Sequence, residues 1–175
     1  MTDTGTRSPR EEAKRRLRSL ALLELLNIPL QAWLWFSLTA LPLTVANLAG
    51  FGAFALLLVV AAAYWSLKLR QLRRREPLLP GHRLLATARV VLPVALAAVL
   101  IVCIVAAVRL PGAQSWPGLA FGIFAVLEYI NYFHVQLMHD TRADLRRLIT
   151  VGFRPAHLAR DLARHRQRGR GPSPS

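Results

Sequence analysis

Cysteine is almost absent from this chain. Cys103 is the single thiol, so it has no second cysteine to pair with, and its place in the apolar run Val99 to Val108 marks it as a packing residue. The five histidines are scattered, with His82 in a basic stretch and His157 and His165 near the end, so the clustered ligands of a structural zinc site are missing. Neither Glu-x-x-His nor His-Glu-x-x-His occurs, which removes the helical spacings of common metal centres. No metal and no cofactor is therefore expected. Acidic residues are also scarce, nine against 23 Lys plus Arg, for a formal net charge of +14. Polar residues are nearly lacking between Phe51 and Tyr64 and between Val90 and Ala107. No small-x-small cleavage site precedes a polar mature start in the first apolar run, so that run is expected to stay as a helix and not leave as a secretory signal.

What is abundant is segregated. Of the 23 Lys and Arg residues, six lie in residues 1–19, seven in 68–89 and nine in 142–170, with Arg109 the sole exception. Long apolar stretches separate these blocks, which explains a 54% hydrophobic content and a mean hydropathy of +0.34 in so basic a chain. In a soluble protein this charge would suggest nucleic acid, but here it falls where membrane insertion and anionic lipid would put it. Basic loops are retained on the cytoplasmic side, so successive basic blocks imply an even number of crossings between them. The expected fold is all-α, a polytopic membrane bundle with both termini cytoplasmic. Arg outnumbers Lys 21 to 2, and Ala and Leu dominate the spans, a composition that suggests a bacterial inner membrane.

A helix rising about 1.5 Å per residue needs roughly 20 residues to cross the hydrocarbon core. Four spans fit, at about residues 23–43, 50–67, 90–108 and 116–138, with Thr44 to Leu48 as the turn between the first two. Residues 1–22 form a basic N-terminal segment and 139–175 a basic tail, disordered at the end. Trp65 and Trp116 mark interfaces, whereas Trp33 and Trp35 lie too deep for that and are expected to pack. Small residues, Gly50, Gly52 and Ala53, then Ala95, Ala97 and Ala98, then Gly118, Gly122 and Ala125, permit close helix approach. Pro29 and Pro93 are expected to bend their helices. Pro29 frees the Leu25 carbonyl for Asn27 or Gln31 to satisfy.

Short amphipathic helices are expected beside the spans. Glu11 to Leu20 leads into the first, and Thr141 with Asp144 makes a capping-box-like start to another that stops at Gly152. Beyond Pro155, Leu158 and Leu162 share one side while Arg160, Arg164 and Arg168 fill the rest, a pattern suited to anionic headgroups.

The informative chemistry is what is polar inside the spans, where an ionisable side chain costs roughly 2.5 to 3.5 kcal/mol on insertion scales. Glu128 lies about 18 Å along the fourth helix, past the middle of the core. Asn131, Tyr132 and His139 share its face, which descends toward the cytoplasm. His134 turns away, and Gln136 and Asp140 follow Tyr129 on a flanking face. In the first span Glu24, Asn27 and Gln31 recur on one face at the same half-depth. Pairing of the first and fourth helices would hide both stripes from lipid, with Glu24 level with His139. A polar cluster or cytoplasm-open cavity is expected between them.

Three function classes follow. The first is a non-enzymatic membrane subunit or scaffold, with lipid headgroups, a membrane-protein partner or a second copy as its contacts. The alternative is a small oligomeric proton- or cation-coupled transporter using Glu128, for which Leu119 to Leu127 provides no polar outer route. The third is a membrane-embedded enzyme on a lipid substrate using Glu128, His139, His134 and Asp140.

Overall fold

The structure, a computed structural model, describes residues 8–134, 158 and 160–163. The expected helix from Thr141 to Gly152, the end of the fourth span and the tail after Ala163 lie outside the described residues. Within them every regular element is helical: α1 (Pro9–Ala32) continues into a π-helical segment (Trp33–Leu38), then α2 (Val45–Arg74), α3 (His82–Arg109) and α4 (Trp116–Phe133) follow. Three helical stretches, Arg10–Leu38, Val45–Arg74 and His82–Arg109, are long and apolar enough to cross a membrane.

α1 begins where Pro9 occupies the first turn and Glu11 and Glu12 place negative charge at the positive end of the helix dipole. It runs unbroken through the expected surface helix and through Pro29 into the apolar stretch. The chain leaves the π-helical segment at Ala40, whose φ is +49°, and Leu41 donates its N–H back to the Trp35 carbonyl. Thr44 to Leu48 is not a turn: Thr44 caps α2 by accepting the Asn47 N–H at 3.2 Å, so helix starts at Val45 and the turn shifts to residues 39–44. α2 ends at Arg75 in the left-handed region, φ +55°. α3 starts after Gly81, φ +72°, and runs through Pro93 without a break.

α2 is the central helix, with α1, α3 and α4 all packed on it and α3 also packed on α4. In the most apolar part of each helix, 44% of α2 residues are buried, against 17% in α3 and 6% in α1. The second and third spans therefore differ, α2 packing and α3 facing outward. Leu22, Leu23, Leu25, Leu26 and Leu30 on α1 and Val90, Val91, Val94, Ile101, Ile104 and Val105 on α3 are exposed. Apolar surface of this extent is unusual on a soluble monomer and compatible with a membrane protein. Trp33 belongs to this surface at 56% exposure, in contrast to the packing expected of it, whereas Trp35 makes an edge contact with Phe121 of α4.

The core joins Ala53, Leu57 and Tyr64 of α2, Leu85, Leu92 and Leu96 of α3, and Ala125, Tyr129 and Phe133 of α4. Leu158 and Leu162 complete it. These two leucines, expected on a helix lying on headgroups, are thus buried in the bundle core.

Candidate functional site

Polar side chains gather at both ends of the bundle. At the end that carries residues 39–44 and 110–115, α2 and α4 cross with their backbones in contact. A Cβ on Gly50 would lie 1.9 Å from the Gly118 carbonyl oxygen, and one on Gly118 would lie 2.3 Å from that of Ala46. Gly52, by contrast, faces open space and takes no part.

That contact lets Asn47, fully buried on α2, reach the first turn of α4. Its Oδ1 accepts the Gly118 N–H at 2.9 Å, one of the donors a helix N-terminus leaves unpaired. Ser115, in the N-cap position of α4, makes no such bond because its hydroxyl donates to the Leu110 carbonyl. The Asn47 Nδ2 donates to the carbonyls of Pro42 and Ala113, both at 2.9 Å, and the Thr44 hydroxyl donates to that of Gln114 at 2.6 Å. One amide therefore ties two loops and a helix terminus. Cys103, buried on α3, donates to the Ala46 carbonyl at 3.5 Å. Asn47 carried no signal in sequence because it sits beside Thr44, where a polar turn is the simple reading.

At the opposite end the expected intramembrane residues divide into three groups. The Tyr132 hydroxyl of α4 donates to Glu24 Oε1 of α1 at 2.6 Å. Glu128, one turn earlier on α4, is half-buried, hydrogen-bonded by Asn131, and near enough to Glu24 for their charges to interact. Trp65 of α2 packs on the same core, with its indole N–H buried. Glu24, Tyr132 and Glu128 thus form one cluster. Glu24 meets Tyr132, and His139, the residue expected at its level, lies outside the described residues. α1 itself packs along α2, Tyr132 of α4 reaches it through Glu24, and the π-helical segment that follows meets α4 where Trp35 contacts Phe121.

Asn27 and Gln31 form a second group along α1. Gln31 donates to Asn27 Oδ1 at 3.4 Å and accepts the Trp35 indole N–H at 2.9 Å, a ladder with four-residue steps. His134 belongs to a third group: its Nε2 lies 3.3 Å from the Tyr129 hydroxyl, which donates to the Arg89 carbonyl of α3 at 2.8 Å. Pro93 explains that bond. It has no N–H to give the carbonyl four residues earlier, which is that of Arg89, and Tyr129 supplies the missing donor. Gln136, His139 and Asp140 lie outside the described residues.

A further contact was not legible in sequence. Asp161 Oδ2 accepts from Lys68 Nζ at 2.7 Å and from the buried Tyr64 hydroxyl at 3.1 Å. The one available signal was that Asp161 is the only acidic residue after Asp144.

The cluster can hold helices together by hydrogen bonds, and its two carboxyls lie within electrostatic reach of each other. No group of three or more His, Cys, Asp or Glu side chains suited to a metal ion occurs among the described residues. No protein-family model matches the chain, and the comparisons with curated proteins and with solved structures return no match either.

Proposed function

We propose that the chain is a four-span protein of a bacterial inner membrane, with both termini cytoplasmic, acting as a non-enzymatic subunit or scaffold. On this reading α4 is the fourth span and continues beyond Phe133. Its basic segments meet anionic headgroups, and its exposed apolar faces meet lipid and a membrane-protein partner or a second copy.

The observation that carries this reading is the 2.6 Å bond from Tyr132 to Glu24, which joins α1 to α4 past the central α2. It gives an intramembrane carboxyl a structural use. Such bonds average about 0.6 kcal/mol in a measured membrane bundle, so the cluster orders the helices more than it stabilises them. The closed Gly50–Gly118 crossing supports the same view, since a single chain offers no polar route past it.

Native mass spectrometry of the protein extracted gently from its membrane tests the reading. A stoichiometric partner protein or defined oligomer is expected; a lone monomer with no partner overturns it. One observation favours the transporter alternative: Glu128, unlike Glu24, takes its hydrogen bond from its own helix. Glu128→Gln separates the two. Proton flux in proteoliposomes abolished by this change supports transport, and flux equal to that of empty vesicles before and after it supports the subunit.

A further inference from the structure

α1 packs along α2 with one side and turns a different kind of surface away from it. At roughly 100° per residue, Glu12, Arg16, Ser19, Leu23, Leu26 and Leu30 fall on one stripe, with Arg15 at its edge. All of them are exposed, Leu23, Leu26 and Leu30 at 59%, 62% and 58%. Ala21, on the opposite side of the helix, is buried. The stripe changes character along its length. It begins with a carboxylate and guanidinium groups, passes through the Ser19 hydroxyl, and is apolar from Leu23 on. A cleft of about 730 Å³ lies against its charged part, lined by Glu11, Glu12, Arg15, Arg16, Ser19 and Leu20.

That order is the order of groups along a phospholipid, from headgroup to acyl chain. Glu11 is engaged by Lys14 at 2.5 Å, so Glu12 is the carboxylate that this face offers to a cation. Arg15 stands three residues on, a spacing that sets side chains about 5–6 Å apart on a helix. A phosphate and a primary ammonium joined by an ethylene bridge match that pair of opposite charges. Ser19, one turn beyond Arg15, comes level with the ester oxygens. From Ser19 to Leu30 the stripe runs about 16 Å at about 1.5 Å per residue, against about 15 Å for half of a hydrocarbon core about 30 Å thick. The helix dipole accounts for an acid in the first turn, but not for the hydroxyl and leucines that continue its face. A headgroup with no amine would set its phosphate beside Glu12, a charge of the same sign.

We propose that this face of α1 binds one phospholipid of the amine-headgroup class, phosphatidylethanolamine, with Glu12 on the ammonium, Arg15 on the phosphate, and Leu23, Leu26 and Leu30 along an acyl chain. The site rests on the membrane placement given above, with the start of α1 at the headgroup level and its apolar part in the bilayer. It is distinct from the attraction of the basic segments to anionic lipid. It selects a headgroup of zero net charge through two opposite charges held at a fixed spacing.

The test uses the full chain in nanodiscs of phosphatidylethanolamine, phosphatidylcholine and phosphatidylglycerol in equal parts, released for native mass spectrometry, with the retained lipids counted by headgroup. Phosphatidylethanolamine is expected to be retained roughly threefold over each of the others, the scale of a solvent-accessible ion pair. Choline keeps the phosphate but gives Glu12 no N–H, and glycerol keeps the phosphate without the cation. Glu12→Gln should erase the preference, and Arg15→Gln should lower retention of phosphatidylethanolamine. Arg18→Gln, the same charge lost about 120° round the helix from Glu12, should change neither. All three side chains are exposed, so none of the changes opens the bundle. Equal retention of the three lipids, a preference that survives Glu12→Gln, or equal effects of Arg15→Gln and Arg18→Gln overturns the site. Alkaline carbonate extraction reports the membrane reading separately. A protein washed from the membrane overturns the placement and the site with it, whereas an embedded protein without headgroup preference overturns the site alone.

Discussion

The two ends of the bundle are fastened differently. At the Asn47 end, backbone meets backbone at Gly50 and Gly118, and a single amide with no exposed surface satisfies the groups around it. At the Lys68 end, long side chains span the gaps: Tyr132 to Glu24, Tyr129 to the Arg89 carbonyl, Lys68 and Tyr64 to Asp161, and Arg10 to the Leu72 carbonyl at 2.7 Å. Direct backbone contact tolerates no change in spacing, whereas side chains with several rotatable bonds follow a helix that moves. The first end suits a fixed joint, and the second suits exchange of partners or conformations.

Substitutions at the Asn47 end should therefore cost most. Gly50→Ala puts a methyl group within 1.9 Å of a carbonyl oxygen that is backbone and cannot rotate away. The expected loss reaches or exceeds the top of the range of about 1–3 kcal/mol for overpacking, read as a lower unfolding midpoint in detergent. Gly52→Ala, two residues away in open space, should leave that midpoint unchanged; equal effects at both sites would erase the distinction. Asn47→Leu comes next. It strands the Gly118 N–H and the Pro42 and Ala113 carbonyls, at about 1–3 kcal/mol for each group left buried without a partner.

The Lys68 end should answer more mildly and show its couplings in pairs. Tyr129→Phe removes the donor to the Arg89 carbonyl, for a loss of about 1 kcal/mol in the unfolding midpoint series. Pro93→Ala returns a backbone N–H to that carbonyl, so Tyr129→Phe should cost little in its presence. A double-mutant cycle with no coupling would show that the proline is not the reason for the bond. Smallest of all, Tyr132→Phe should cost about 0.6 kcal/mol, the scale of a single interhelical hydrogen bond in a membrane. A loss as large as that of Asn47→Leu would mean that the two ends are fastened alike.

The helices were legible because length, hydropathy and charge blocks act locally along the chain. The all-helical class and the three apolar helices follow from runs such as Val90 to Val108, which need no partner to be read. Glu24, Tyr132 and Glu128 stood out because a carboxyl in an apolar run is conspicuous. Their grouping into one cluster, apart from the Asn27–Gln31–Trp35 ladder, was not legible, since Glu24, Asn27 and Gln31 all recur at helical spacing on α1 and spacing alone does not say where a ladder ends. Asn47 and Asp161 were missed for a related reason. Each looks ordinary beside its neighbours, a threonine in one case and a row of arginines in the other.

By itself the sequence determined which stretches are apolar enough to leave water, where the positive charge lies between them, and that a few polar groups would be carried into the apolar region. These depend on composition over a window of residues, and every residue in the window contributes. Only the tertiary structure decided that α2 is the central helix, that Gly50 and not Gly52 is the contact, that Tyr129 serves the carbonyl freed by Pro93, and that Leu158 and Leu162 complete the core. Each of these depends on the distance between atoms remote in the chain, and the rotation of one helix by a single residue, roughly 100°, would change them all while leaving the hydropathy pattern as it is.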